Sequence, residues 1–320
     1  MLEKTNVDIG LSIIIPVHNR QDLVVSALDS IDSIKGISIE VIVVDDASTD
    51  ATFECLKNQK NNKSFDLRVF RNQDTRGAPY CRNFGVNTSC KPFVFFLDSD
   101  DVVRAEVIRK AIEELNDNPK IDLIYGYVSK VSSDLTERKK IEIGRFFDGR
   151  SRNIASYSWH TSGAIYRKTF IDRLGGWNEK LVGSQDWEYQ ARAKVLTEDL
   201  MFYEDSFALW RDHDKNRIGR KTYARSYVNS VADASTAIWG CACKRKKDSY
   251  ILALRLILKL IVHALEAGAH DDYETKKTIL RKYVCKINDS IFIRTIVAFL
   301  LFKSAKIDMA VLKMQKYVHR

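Results

Sequence analysis

The sequence lacks the cysteine and histidine patterns that organise disulfide-rich and zinc-binding domains. Six cysteines are spread over 320 residues, and no Cys-x-x-Cys pair occurs among them. No secretory signal stands at the start, so we expect reduced thiols in a cytosolic compartment. Most of the histidines have no spacing that suggests a metal site: His18, His160, His263, His270 and His319.

Long apolar runs are also missing. Neither apolar stretch of the last third reaches the ~20 residues that a membrane-spanning helix needs, so we do not expect an integral membrane protein. Residues 251–265 are apolar except for Arg255, Lys259 and His263, which would form one narrow stripe on a helix. Residues 295–302 are uncharged. Such helices either pack in a bundle or lie in a membrane interface, and the sequence leaves both open.

Negative charge is scarce in the same region. From Arg211 to the end there are 23 Lys and Arg against 10 Asp and Glu, a net charge of +13. The whole chain carries +9, so residues 1–210 carry −4. Basic runs such as 244–247 bind polyanions, and nucleic acid, anionic lipid headgroups or a lipid diphosphate are the candidates. An ordinary helical subdomain with a solvated basic face is the alternative.

What is present is a repeated pattern of apolar strands that end in polar residues. A strand begins at Leu11 and stops at Pro16, and further strands are predicted over 39–46, 67–71 and 93–97. Helical spacing of apolar residues lies between them, at 21–34 and 78–87. Alternation of this kind predicts a parallel sheet with helices on both faces.

Two of these strands end in carboxylates. Asp45 and Asp46 follow one strand, and Asp98, Asp100 and Asp101 follow another. The carboxyl edge of an open α/β sheet is where ligands bind. Clustered carboxylates repel each other unless a cation neutralises them, and Mg²⁺ or Mn²⁺ holding a diphosphate is the usual solution. A solvated acidic turn is the alternative for either strand alone, but two such ends favour a shared ligand site.

Four motifs then carry a family resemblance. The segments 13–19, 43–50, 82–85 and 97–101 resemble, in order and approximate spacing, those of the inverting family 2 glycosyltransferases. The resemblance covers roughly residues 10–215. Within the family, the chain resembles the bacterial O-antigen and capsule glycosyltransferases. It implies a GT-A fold, an α/β architecture with a Rossmann-like nucleotide-binding mixed sheet. We expect a catalytic domain over 1–218 and a basic, mainly helical C-terminal region over 219–320.

The resemblance also implies a donor site. Asp45 and Asp46 would hold the base and ribose of a nucleotide-sugar, and Asp98 would contact the ribose or the donor sugar. Asp100 would be the main ligand of a Mn²⁺ or Mg²⁺ ion, with Asp101 beside it. The remaining implied donor-site residues are Pro16, Val17 and Asn19 in the nucleotide loop, Arg82 near the diphosphate, Ser99 at the donor, and His213 at the metal or diphosphate, with Arg211 near the phosphates. For Arg82 the alternative is an exposed helix face.

The catalytic base and the acceptor side fall in later segments. Asp186 is the residue that would deprotonate the acceptor hydroxyl, although Gln185 stands where the family usually has Glu. Its alternative is an N-cap of the helix that follows. Gly175, Gly176 and Trp177 would contact the acceptor sugar, Trp177 by stacking. A tight turn with Trp177 in the core is the alternative for that segment.

Together these features predict an enzyme. It would move a hexose, glucose or galactose, from a UDP-sugar to a sugar carried on polyprenyl diphosphate, such as GlcNAc or GalNAc, and form a β-1,3 linkage. We expect it at the cytoplasmic face of a bacterial inner membrane, held there by its basic C-terminal region. A polymerising synthase is set aside because the chain lacks membrane spans and a Gln-x-x-Arg-Trp signature. The alternative function is an anionic-lipid or nucleic-acid binding protein with a vestigial transferase domain; because all the acids are present, no nucleic-acid partner is expected.

Overall fold

The fold is known from a computed structural model. It describes residues 9–132, 135, 141–142, 154, 159–212, 225–247, 252–253, 255–256 and 259. The chain divides into two compact units. Among the described residues, the first unit contains everything up to Glu142 together with 159–179 and 197–212. The second contains residue 154, residues 180–196 and those from Arg225 onward. The predicted boundary at residue 218 lies outside the described residues.

The first half of the first unit alternates strands and helices. Its elements are β1 (Gly10–Val17), α1 (Val24–Asp32), β2 (Ser38–Asp45), α2 (Thr52–Gln59), β3 (Asp66–Arg71), α3 (Ala78–Thr88) and β4 (Phe93–Phe96). The predicted strands are confirmed to within about a residue at each end. The first helix is shorter than the predicted 21–34. Its first turn is replaced by a hydrogen-bonded turn in which the Gln21 side chain accepts the Ala51 N–H.

The second half of the first unit adds strands of both directions. Its elements are β5 (Val102–Val103), α4 (Ala105–Asp117), β6 (Leu123–Ser132), β7 (Ile141–Glu142), a 3₁₀ turn (Thr161–Gly163), β8 (Ala164–Arg167), α5 (Lys168–Leu174) and β9 (Leu200–Asp212).

All described strands belong to one mixed sheet. Their order is β3-β2-β1-β4-β8-β6-β9-β5, with β7 paired to β6. The first four strands are parallel, β8 is antiparallel to both β4 and β6, and β9 is parallel to β6. The predicted mixed α/β sheet is therefore confirmed. Because β6 and β9 run in the same direction as β1–β4, these six strands present their carboxyl ends at one edge, whereas β8 and β5 run the opposite way.

Both faces of the sheet are covered, which explains why its central strands read as continuous apolar runs. Ile13 and Ile15 of β1 face a large core that α1 and α4 complete with Leu28 and Ile112. Ile14 faces the other side, where α3 packs through Gly85.

Aromatic rings continue that second face across the sheet. The Phe96 ring lies 5.2 Å from Trp177 and 5.7 Å from Tyr166, both edge-on. The indole N–H of Trp159 donates to the Tyr166 hydroxyl at 2.9 Å, and Tyr125 packs on Trp159 at 4.7 Å between ring centroids. Edge-on and tilted contacts of this kind add stability beyond the area they bury.

The second unit is helical in its described part. Its helices are α6 (Gln185–Leu196) and α7 (Arg225–Lys244). They are joined through Ser230, whose hydroxyl accepts the Gly183 N–H at 3.1 Å and donates to the Gly183 carbonyl at 2.6 Å. Of the predicted apolar helix 251–265, the five described residues are helical, and the predicted stretch 295–302 lies outside the described residues. No helix in the described part of the chain has the length and hydropathy that crossing a membrane requires.

The close packing of α3 on β1 is testable at Gly85. A Cβ at this position would collide with the Ile14 side chain, whereas a Cβ on Gly240 of α7 would meet no atom within 4 Å. We expect Gly85→Ala to lower the free energy of unfolding by about 1–3 kcal/mol, because overpacking outweighs the gain in helix propensity. The control Gly240→Ala should raise it by about 0.5–1 kcal/mol. Urea titrations read both, and equal effects would contradict the packing of Gly85.

Candidate active site

Most of the predicted donor-site residues lie at the carboxyl edge of the sheet, at the ends of β1 and β2 and in the turns after β1, β2 and β4, whereas Arg82 lies on α3. Pro16 sits inside β1, opposite Val44, at a point beyond the last residue that pairs with β4. Its missing N–H therefore costs no ladder hydrogen bond on that side. Val17 ends the strand and is buried.

Asn19 ties the first two turns together. It has a left-handed backbone conformation, with φ of 52°. Its N–H donates to the Ser48 hydroxyl at 2.9 Å, and its side-chain oxygen accepts the Thr49 N–H at 2.8 Å. Asn19, which is predicted to line the nucleotide loop, therefore also shapes that loop through its amide oxygen.

Asp45 and Asp46 are buried and both contact protein donors, but Asp45 Oδ2 accepts no hydrogen bond from any described residue. The Asp45 carboxylate accepts the Ser48 N–H at 3.2 Å and lies 3.2 Å from Arg71 Nε. The Asp46 carboxylate accepts the backbone N–H groups of Arg76 and Gly77 at 2.7 and 2.8 Å, and the Asn72 amide at 2.8 Å. Asp46 therefore orders the turn that leads into α3. A base or ribose contact at Asp46 would share oxygens that already accept hydrogen bonds, whereas Asp45 Oδ2 accepts none from the described residues.

The Arg82 side chain of α3 lies beneath this edge, between Asp98 and the ring of Trp177. Only 4% of Arg82 is exposed, so the alternative of an exposed helix face is wrong. One guanidinium nitrogen donates to Asp98 Oδ1 at 2.8 Å, and the guanidinium carbon lies 4.5 Å from the centre of the Trp177 ring. Nε and Nη1 have no hydrogen-bond partner among the described residues. Buried donors of this kind suit an anionic oxygen of a ligand.

Residues 98–101 form the acidic turn after β4. Each of its carboxylates is compensated by a different group. Asp100 lies 3.9 Å from the Arg20 guanidinium. Asp101 is fully buried, and Ser162 donates to its Oδ2 at 2.6 Å. The same Ser162 hydroxyl accepts the Asp98 N–H at 3.2 Å. Ser99 is buried at 8% exposure.

Asp101 is electrostatically the most strained of these groups. Burial raises the pKa of its carboxyl well above the usual range, and the neighbouring Asp100 and Asp98 carboxylates raise that pKa further. Its Oδ1 has no hydrogen-bond partner in the described part of the chain.

His160 completes a group that could hold a cation. Its Nδ1 lies 3.8 Å from Asp101 Oδ2, and one ligand atom each from Asp98, Asp101 and His160 lie within 4.8 Å of one another. Two carboxylates and an imidazole suit Mn²⁺, and Asp101 Oδ1, which accepts no hydrogen bond from the described residues, is suited to bind a cation. The predicted ligand Asp100 lies in the same turn, and His213 lies outside the described residues.

The predicted acceptor residues lie in a turn after α5. Gly175 has φ of +80°, and a Cβ on Gly176 would stand 2.8 Å from the side-chain oxygen of Asn83. Asn83 accepts the Trp177 N–H at 2.7 Å and donates to the Trp177 carbonyl at 3.0 Å. Trp177 is 5% exposed. The geometry thus supports a tight turn with Trp177 in the core, and it explains both glycines without a sugar.

Asp186 is placed within the second unit. It is the second residue of α6, so it is not an N-cap, and the N-cap alternative is wrong. The helix start is preceded by Ser184 with φ of 56°, and the Gln185 amide donates to the Leu181 carbonyl at 2.8 Å. Further along the same helix, Glu188 and Arg192 form a largely buried ion pair with a 2.6 Å contact.

Sequence reasoning missed Arg20, His160 and Ser162. Arg20 follows the recognised nucleotide-loop segment directly and could have been found by asking which cation faces the acids. His160 and Ser162 come about 60 residues after the acidic turn and reach it through the antiparallel strand β8, which no local pattern indicates.

Comparison with known proteins places this geometry in a family. A model of glycosyl transferase family 2 matches residues 12–175. An uncharacterized glycosyltransferase of Haemophilus influenzae is 36% identical over 115 residues, which are 36% of this chain and 37% of that protein. The poly-beta-1,6-N-acetyl-D-glucosamine synthase of Staphylococcus epidermidis is 26% identical over 54% of this chain and 43% of its own length. The matches thus span less than half the length of these relatives.

Solved structures show the same fold at low identity. TarS 1–349 of S. aureus, in complex with UDP-GlcNAc, has a TM-score of 0.71 and 17% identity over 88% of this chain and 82% of that chain. The mannosyltransferase PcManGT of Pyrobaculum calidifontis, in complex with GDP-Man and Mn²⁺, has a TM-score of 0.56 and 17% identity over 96% of this chain and 84% of that chain.

The raised pKa of Asp101 makes a prediction about stability. A carboxyl with a raised folded-state pKa stabilises the protein at low pH, and this contribution is lost as the pH rises through that pKa. In EDTA, we expect Asp101→Asn to be more stable than the wild type by about 1–3 kcal/mol at pH 8, with a smaller difference at pH 5. Asparagine can still accept the Ser162 hydroxyl. Urea unfolding measures the difference, and the exposed Asp117→Asn is the control.

A pH-independent effect of Asp101→Asn would contradict the assignment of a strained buried charge. So would an equal pH dependence of Asp117→Asn.

Proposed function

The chain belongs to glycosyl transferase family 2, and we propose that it transfers a hexose from a UDP-sugar to a sugar hydroxyl of a lipid-diphosphate-linked acceptor. It is a glycosyltransferase with a GT-A fold. The proposal adds the donor, glucose or galactose on UDP, and the acceptor, a GlcNAc or GalNAc on polyprenyl diphosphate joined by a β-1,3 linkage. The product would be a repeat-unit intermediate of a bacterial surface polysaccharide such as O-antigen or capsule.

The observation that carries the proposal is the edge at which charged groups of both signs meet. The carboxylates after β4 offer oxygen ligands to a divalent cation, and Arg82 offers buried, unpartnered nitrogens to an anion beside Asp98. A nucleoside diphosphate sugar bound with a metal ion presents both charges. A divalent cation, when bound, stabilises the negative charge that develops on the leaving diphosphate.

The residues have separate tasks in this proposal. Asp100 and His213 are the metal ligands implied by the resemblance, and Asp98, Asp101 and His160 are the donor set that fits a cation. Asp45, Asp46 and Asn19 hold the nucleotide loops in shape. Asp186 takes the proton from the acceptor hydroxyl as that oxygen attacks the anomeric carbon, which inverts its configuration.

The choice of substrate class draws on what related proteins bind or make. The TarS structure contains UDP-GlcNAc. One relative is named a poly-beta-1,6-N-acetyl-D-glucosamine synthase. Another, of Rhizobium meliloti, is named a succinoglycan biosynthesis protein. These support a nucleotide-sugar donor and a polysaccharide product. The net charge of +13 from Arg211 onward supports an anionic acceptor carrier and a peripheral position at the cytoplasmic face of the inner membrane.

The proposal is tested by a panel of UDP-sugars with Mn²⁺ and a synthetic GlcNAc- or GalNAc-diphosphate-lipid. We expect slow UDP release from one donor alone and faster release with the acceptor. Asp100→Asn should lower the Mn²⁺-dependent rate by about a hundredfold, since it removes a proposed ligand. His160→Ala is measured in parallel to distinguish the two proposed sets of metal ligands, Asp100 with His213 and Asp98 with Asp101 and His160. If the folded protein releases no UDP from any donor, another nucleotide-sugar class or the binding-protein alternative is favoured.

The role of Asp186 makes a separate prediction. Asp186→Asn should bind the UDP-sugar with unchanged affinity and lose transfer by about 10²–10⁴-fold, the usual contribution of a general base. Asp172→Asn, an exposed carboxylate on α5, is the matched control and should keep full activity. Titration calorimetry reads donor affinity, and product formation reads transfer. Transfer at the wild-type rate by Asp186→Asn would remove it as the base.

A further inference from the structure

An aromatic and a basic side chain lie beyond the acidic turn at the same edge of the sheet. β6 and β9 run in the direction of β4, so their last residues share the edge at which Asp98 follows β4. Near these ends, Lys130 of β6 is the register partner of Trp210 of β9. The Lys130 Nζ lies 5.3 Å from the centre of the Trp210 ring.

Both side chains keep part of their surface in solvent. Trp210 and Lys130 are each half-buried, as is Trp239 of α7, whereas Trp159, Trp177 and Trp187 are at most 5% exposed. A tryptophan that keeps exposed ring surface next to a cation is a common feature of binding sites, where the ring supplies apolar area and the cation orients the ligand.

His160 links this pair to the acidic turn. The centres of the His160 and Trp210 rings are 5.9 Å apart, and His160 Nδ1 lies 3.8 Å from Asp101 Oδ2. Trp210 is thus separated from the carboxylates by a single side chain. A ligand on Trp210 would lie close to a donor bound at those carboxylates.

The neighbouring residue fixes the direction of Trp210. Arg211 is 5% exposed and donates to the Ser26 hydroxyl of α1 at 2.8 Å. Successive side chains of a strand point to opposite faces. The anchored Arg211 therefore holds Trp210 on the face away from α1.

We propose that Trp210 and Lys130 form the acceptor subsite, in which the Trp210 ring stacks on the acceptor sugar and Lys130 pairs with a phosphate or diphosphate attached to it. This inference rests on the proposed transferase function and adds the residues that recognise the acceptor. A compact ammonium group binds phosphate as a point charge. Lys130 also keeps the two substrates apart. The carboxylates of the acidic turn repel an anionic acceptor, and the positive charge of Lys130 holds that acceptor away from them.

The test compares three variants with the wild type. Trp210→Ala should raise the acceptor KM at least about tenfold, and Trp210→Phe should recover most of that loss because it keeps a ring. Lys130→Met should raise the KM about tenfold for GlcNAc-diphosphate-lipid and leave the KM for a neutral GlcNAc alkyl glycoside unchanged. GlcNAc 1-phosphate distinguishes recognition of a free sugar phosphate from recognition of the lipid-linked diphosphate.

The matched control is Lys57→Met on α2. The Lys57 Nζ lies 5.1 Å from the Phe53 ring, so the variant removes the same kind of cation–aromatic pair elsewhere. It should leave every KM unchanged. It should also leave hydrolysis of the UDP-sugar without acceptor within about twofold of wild type.

An unchanged acceptor KM in both Lys130→Met and Trp210→Ala would overturn the inference, and where Trp210→Ala does not fold, an unchanged KM in Lys130→Met alone would do so. So would a loss of donor hydrolysis equal to the loss of transfer. Binding of GlcNAc-diphosphate-lipid by calorimetry tests the subsite without catalysis. If the wild type binds this lipid through Trp210 and Lys130 but releases no UDP from any donor, the proposed function fails and the subsite stands.

Discussion

Repulsion among like charges at the carboxyl edge of the sheet is the constraint around which the first unit is arranged. Three carboxylates follow β4 within a few residues, and each has a different compensation. Arg82 bonds to Asp98, Arg20 lies beside Asp100, and Asp101 is buried against Ser162. These compensating groups come from the turn after β1, from α3 and from the turn before β8. The sheet order brings all of them to one place, so the fold and the charge arrangement depend on each other.

Side-chain hydrogen bonds to backbone groups shape the turns at this edge. Asn19 bonds to the turn after β2, Asp46 to the turn before α3, and Asn83 to the turn after α5. Each of these side chains satisfies backbone groups that a turn leaves without a ladder partner. A motif that is interpreted as ligand-binding therefore also contains the side chains whose hydrogen bonds hold its own loops in shape.

The alternation of strands and helices up to β4 could be predicted from the sequence, because buried parallel strands read as continuous β-branched runs with polar ends. The acidic turn was predictable for the same reason. The burial of Arg82 could not be predicted, and that of Trp177 could be predicted only as one of two alternatives, since both depend on α3 meeting a turn that comes much later in the chain. The approach of His160 depends on an antiparallel strand inserted between β4 and β6, and the pairing of Lys130 with Trp210 depends on a register that contains a bulge. Long-range pairings of this kind leave no local pattern.

The bond between Asn83 and the turn after α5 has an evolutionary consequence. Gly176 has no room for a Cβ because the Asn83 side chain occupies that space, and Asn83 needs the turn backbone for its own hydrogen bonds. Neither residue can change alone without loss, so the two should change together among descendants of this sequence. A covarying pair of this kind would resemble a pair of substrate contacts in a survey of variants, although its origin is steric.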